Sequence, residues 1–171
     1  MVPTVENVPP VARMREASFM FSLIGTTPGD ILALVQVIPD LKVTIDVSHA
    51  QLYINAYQAA LSSVDDTLRP MVEFLQIEGG VGSVDAFIRI VAPALYEAHI
   101  SNARGLLGEG LPYDDGELDM DATIGLLAQH ATYIVTETIE PDPDHAIHMR
   151  QAQRRISRLL GHQIEDANDD L

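Results

Sequence analysis

Cysteine and tryptophan are absent from this chain, and its one lysine is Lys42. Without cysteine there is no disulfide framework, no thiolate metal site and no cysteine nucleophile. Basic residues number 10 against 25 acidic ones, for a formal net charge of −15. That balance argues against direct nucleic-acid binding as a role, because contacts to phosphate need clustered Lys and Arg. Asp and Arg dominate their charge classes, a skew that suits a GC-rich genome or a saline cytoplasm, where hydrated carboxylates keep a surface soluble. Long apolar runs are missing too. The most apolar stretches, 19–24 and 31–38, are separated by GTTPGD, and neither approaches the roughly 20 residues of a membrane helix. The opening MVPTVENVPPVARMRE carries no basic leader, apolar run or small-residue cleavage pattern. The expected location is therefore a virion or the cytoplasm, without secretion and without a membrane.

What is present reads mainly as helix. Pro3, Pro9 and Pro10 mark residues 1–10 as an extended N-terminal arm, 11–160 as a helical domain, and 161–171 as an acidic C-terminal tail. Thr27, with Pro28 and Asp30 behind it, is a strong start signal for a helix ending at Pro39. Ser48 and Gln51 form a capping-box pattern for a helix over 49–62. Further helices are expected over 11–24, from Asp66 to Ile77, over 83–108 with a kink at Pro93, over 122–135 and over 145–160. LKVTIDV is short and β-branched, and TYIVTETI could pair with it as a ribbon. The fold class that follows is all-α, a single-domain bundle of about six helices with room for a minor two-stranded β ribbon.

The charge pattern is most pronounced between 109 and 158. Asp114, Asp115, Glu117, Asp119 and Asp121 form an acidic surface, and the sign flips in the last helix at Arg150, Arg154, Arg155 and Arg158. Met149 and Ile156 belong to an apolar stripe beside those arginines. This reads as a docking helix whose guanidinium forks take carboxylates from another copy. The alternation from Asp115 to Asp121 resembles a calcium loop, but Met120 and Leu126 stand where Gly and the bidentate acid belong. His145 and His148 share a helical face and could hold a metal with Asp142 or Asp144 and a histidine from elsewhere, His130 or His99. Glu97 and His99, two apart, cannot share the face of a helix, so the helical di-metal signature is absent. No phosphate loop, nucleophile elbow or catalytic triad is legible.

These readings lead to a non-enzymatic structural subunit of an oligomeric assembly, in form a virion head–tail adaptor or connector, with no cofactor. Its expected partners are protein: further copies of itself and neighbouring subunits. Two alternatives stand beside it. One is a small helical metal-binding protein or enzyme using His145 and His148, and the other is an acidic regulatory or chaperone module for a basic partner.

Overall fold

Pro3 directs the chain into an extended start, and Thr4–Glu6 forms strand β1. A hairpin of Val11–Arg13 (β2) and Phe19–Phe21 (β3) follows. Thr27 caps helix α1, Pro28–Val37, in a complete capping box with Asp30. The β-branched run Lys42–Asp46 is β4, and Asp46 both ends that strand and caps α2, Val47–Gln58. Helix α3, Arg69–Glu78, accommodates Pro70 in its first turn, where no amide donor is required. Ser83 caps α4, Val84–Val91. Pro93 stops the helical pattern within a 3-10 turn, and the chain continues as β5, Leu95–Ile100. A small ribbon of Asn102–Arg104 (β6) and Gly108–Leu111 (β7) leads to α5, Met120–Leu127, capped by Asp119. Tyr133–Thr136 is β8, and Ile147–Leu159 is the final helix, α6. This computed structural model describes residues 2–13 and 18–161, so the acidic tail expected over 161–171 lies outside the described residues beyond Gly161.

Strands β1, β4, β5 and β8 form one sheet in that order, all parallel. Helix α1 touches α4, α4 touches α5, and α5 touches α6. The helices that follow or precede successive strands thus stand side by side in the order of the strands themselves, as repeated βα units require. Val43, Ile45, Ala98 and Ile100 are buried in the core with Ile31, Phe87, Ile88, Val91, Ile124 and Leu127 from the helices. The alternate residues of the same strands, Thr44, Asp46, Glu97, His99, Tyr133 and Val135, are cross-strand partners on the other face.

The expectation of an all-α bundle is therefore corrected to α/β, and the physical reasons can be located. ALYEAHIS is helix-compatible residue by residue, but Pro93 ends α4, and Leu95, Ala98 and Ile100 then alternate or pair inward as a buried strand. Residues 11–24 were expected as helix; the described parts, 11–13 and 18–24, hold the two strands of a hairpin instead. Both suspected β segments are strands, yet they do not pair with each other, because β5 lies between β4 and β8. The extended arm expected over residues 1–10 contains β1, which pairs with β4 through Thr4, Val5 and Glu6.

One side chain extends that pairing beyond the end of β1. Buried Asn7 donates from Nδ2 to the Asp46 carbonyl at 3.0 Å and accepts from the Asp46 amide at 2.8 Å. Asn7→Ala is expected to cost about 2–3 kcal/mol, since both buried backbone groups of Asp46 lose these partners. Urea unfolding at pH 7 measures it, and a loss below about 0.5 kcal/mol would mean that other groups satisfy Asp46.

Candidate metal centre

Four side chains, one from each strand of the parallel sheet or the residue just past it, meet at the carboxyl ends of the strands. Glu6 is the last residue of β1, Asp46 the last of β4, and His99 the penultimate residue of β5. Glu137 follows β8 and continues its ladder by donating its amide to the Ile100 carbonyl at 3.0 Å. Asp46 and His99 are direct cross-strand partners, and Glu137 lies two residues beyond Val135, the partner of His99. A strand period of two puts all of these on the face away from the helices. One ligand atom from each of Glu6, Asp46, His99 and Glu137 can be chosen so that all lie within 4.8 Å of one another.

The atoms are held from behind. Asp46 Oδ1 accepts from the Ser48 amide at 2.7 Å, the Ser48 hydroxyl at 2.8 Å and the His49 amide at 3.0 Å. Its Oδ2 takes none of these bonds. His99 Nδ1 lies 2.7 Å from Glu137 Oε2 and 3.5 Å from Glu6 Oε2, and its Nε2 lies 3.5 Å from Glu97 Oε1. Despite those short distances, neither oxygen meets the ring at a hydrogen-bonding angle, and buried Nδ1 has no hydrogen-bond partner. Once the ring is neutral, this unpartnered nitrogen and the carboxylate oxygens around it form the kind of donor set that a divalent ion takes.

Charge agrees with the geometry. The Glu6 carboxylate, with Glu137 and Asp46 adding to it against the effect of burial, raises His99 to about 9. Glu6 is lowered in turn by His99, with burial opposing. Glu137 is raised by burial against the attraction of His99, with the Asp46 and Glu6 charges adding to the rise. The side chains of Asp46 and Glu137 are 3 % and 57 % exposed, so Asp46 is a fixed strut and Glu137 reaches solvent.

A second histidine stands beside the cluster. His49 Nδ1 is 2.9 Å from the Asn7 carbonyl, which can only accept, so this nitrogen carries a proton. Its Nε2 faces Glu109 at 3.4 Å and Asp46 at 3.7 Å. Burial opposes a charge on the ring, but Glu109, Asp46 and the Asn7 carbonyl outweigh it and raise His49 to about 9. The ring is therefore an imidazolium at neutral pH. It lines a cleft of about 150 Å³ with Asp46, Ser101, Glu109 and Glu137. Gly110, at φ +68°, lets Ile139 close one wall of that cleft, since an added Cβ would stand 2.4 Å from Ile139 Cγ1.

The residues singled out in the sequence lie elsewhere. Arg155 donates to Asp121 through Nε at 3.1 Å and Nη2 at 2.9 Å, reaches Asp114 as well, and sits 4.5 Å above the Tyr113 ring. Ile156 is buried, Met149 is half-buried, and Arg150 and Arg158 are exposed; Arg154 is half-buried and engaged. Asp115 pairs with Arg104, Glu117 accepts from Asn55 and the Gly105 amide, and Asp119 caps α5. His145 pairs with Asp142 on the surface, while His148 lines a shallow cleft with Tyr113 and Asp114. Neither histidine joins the four-residue cluster. Of the histidines considered, His99 does, and Glu6, Asp46, Glu137, His49 and Glu109 were not foreseen at all. The one available signal was the pair Glu97 and His99: two apart is the wrong spacing for a helix face and the right one for a strand face.

No family profile and no curated protein matches the chain. Among solved structures it is similar to the crystal structure of a D-tagatose 3-epimerase-like protein, with a TM-score of 0.57 at 15 % sequence identity. The match covers 91 % of this chain and 46 % of that one, so the chain spans less than half of its neighbour's length. At this identity the likeness is one of fold. The shared part is the α/β arrangement of parallel strands and helices. This overturns the expected non-enzymatic virion adaptor, which rested on a helical bundle. The alternative of a metal-binding protein or enzyme agrees better, with His99 in place of His145 and His148. Among the described residues no helix is long and apolar enough to cross a membrane.

Proposed function

We propose that this chain carries the metal-binding side of a sugar epimerase or isomerase active site, acting on a hydroxy-carbonyl substrate by proton transfer at the carbon next to the carbonyl. The observation that carries the reading is the convergence of Glu6, Asp46, His99 and Glu137 from four successive parallel strands around a buried, unpartnered His99 Nδ1. Three carboxylates and one imidazole suit a divalent ion of the manganese, magnesium or cobalt kind better than a thiolate-loving one. When bound, such an ion supplies Lewis acidity to the oxygens of a carbonyl and its neighbouring hydroxyl.

The protein's own groups divide the remaining work. Asp46, locked by three hydrogen bonds, and His99, on the neighbouring strand, would hold the ion. Glu137 combines a raised pKa with access to the cleft, which makes it the stronger base and the group placed to take the carbon-bound proton. Glu6 approaches from β1, the opposite edge of the sheet, and is the second carboxylate available for proton exchange. The His49 imidazolium can donate a hydrogen bond to a substrate oxygen in the cleft and offset charge gathering there. The D-tagatose 3-epimerase-like neighbour supports the substrate class, because inverting a carbon beside a ketone is proton chemistry of this kind.

The decisive measurement is calorimetric titration of the chelator-treated protein with Mn2+ at pH 8, backed by elemental analysis of the protein as purified. One ion per chain is the expected result. No stoichiometric binding of Mn2+, Co2+ or Mg2+ would end this reading.

A further inference from the structure

On the sheet face away from the helices, Glu97 is the acid that takes no part in the four-residue cluster. It stands on β5 two residues before His99, so the strand period of two gives both side chains the same face. Its cross-strand partners are Thr44 and Tyr133, one row nearer the amino ends of the strands than Asp46, His99 and Val135. Glu97 therefore lies beneath the cluster, and it is absent from the lining of the cleft. Its side chain is 29 % exposed, and among the described residues its ion-pair partner is His99, with Oε1 3.5 Å from Nε2. The His99 ring thus stands between two sets of carboxylates. Glu6 and Glu137 come nearest to Nδ1, at 3.5 and 2.7 Å, whereas Glu97 comes nearest to Nε2.

We infer that Glu97 is a positioning residue of the metal site: it accepts a hydrogen bond from Nε2–H of His99 and so fixes the ring in the tautomer and orientation that leave Nδ1 bare toward the ion. A neutral imidazole keeps one proton, and a ring that ligates through Nδ1 must carry it on Nε2. Nδ1 is the nitrogen that is buried without a hydrogen-bond partner and has Glu6 and Glu137 beside it. The proton therefore belongs on the side of Glu97. At 3.5 Å the pair lies just beyond the usual N–H···O range of about 2.7–3.2 Å, a difference that a small turn of the ring closes. In the metal-free protein the carboxylates at Nδ1 compete for the ring, but with that nitrogen ligated Nε2–H is its one remaining donor. A carboxylate behind a ligating histidine also makes the ring a stronger ligand. Asp46 has its supports in Ser48 and the His49 amide, and Glu97 supplies the counterpart for His99. This inference rests on the metal-site reading and adds to it a residue that acts only through His99.

Titration of the full chain with Mn2+ at pH 8, as wild type, Glu97→Ala and Glu97→Gln, tests it. Glu97→Ala is expected to bind the ion about 10–100-fold more weakly. Glu97→Gln is expected to come within about fivefold of the wild type, because its amide oxygen accepts the same N–H without the charge. Urea midpoints in excess chelator are expected to agree among the three proteins, which a residue needed for the fold itself would not allow. In Mg2+-saturated protein with 15N-labelled histidine, the Nε2–H signal of His99 is expected in the wild type and in Glu97→Gln, and is expected to be lost to exchange with water in Glu97→Ala. Affinity within about twofold of the wild type in Glu97→Ala, or equal losses in both variants, would overturn the proposal. So would a proton on Nδ1 of the loaded ring, or a lower urea midpoint for metal-free Glu97→Ala. With one ion per wild-type chain, any of those results leaves the metal-site reading standing while this one falls; a wild type that binds no divalent ion ends both.

Discussion

Replacing His99 with alanine is expected to weaken Mn2+ binding by at least about 100-fold, since loss of a group that merely supports a ligand already costs 10–100-fold. His99 is the one nitrogen in the cluster, its Nδ1 has no other partner, and β5 holds it beside Asp46. His145→Ala and His148→Ala are expected to change the affinity less than about twofold, because neither histidine is among the four clustered residues. Titration of the three variants at pH 8 separates the two sets. Wild-type affinity in the His99 variant, or a loss in either of the others, would relocate the site. Circular dichroism on each variant excludes unfolding as the cause.

A second large effect is expected from pH. The metal needs a neutral imidazole, whereas in the metal-free protein the surrounding carboxylates raise His99 to about 9. Below that value each bound ion must displace a proton, so the apparent affinity climbs about tenfold per pH unit and then levels off. Between pH 6.5 and pH 9 the gain amounts to about 160-fold, with release of about one proton per ion in the lower part of the range. The stability of the metal-free protein should move the other way. His49 and His99 both have folded-state values raised from 6.5 to about 9. Their contribution is complete below pH 6.5, where both folded and unfolded chains are protonated, and is lost as pH rises through 9. Urea unfolding in excess chelator should therefore show falling stability across that window, and the same series in excess Mn2+ should show the fall reduced or reversed. A flat affinity profile would mean that His99 is not protonated in the empty site.

The legible and illegible parts of this chain differ in a consistent way. Thr27 with Pro28 and Asp30, Ser83 before its helix, and the amphipathic run of α6 were readable because caps and helical periodicity act over a few neighbouring residues. The stretch 95–100 was not, since Ala, Leu and Glu fit a helix as well as a strand and only its place between β4 and β8 selects the extended form. The acids from 114 to 121 looked like a surface for another molecule. In the structure Arg155, Arg104, Asn55 and the start of α5 occupy most of them, and exposed pairs of this type contribute only about 0–1 kcal/mol each.

From sequence alone came the acidity, the lack of thiol chemistry, the lack of a membrane-length apolar helix and most of the helix starts, all of which depend on composition or on contacts a turn apart. Sheet order, and with it the site, was decided by tertiary structure. Glu6, Asp46, His99 and Glu137 are spread across 131 residues of sequence separation, and nothing local relates them. They meet because each occupies the same end of one strand in a parallel sheet, an arrangement fixed by how the helices pack on the opposite face.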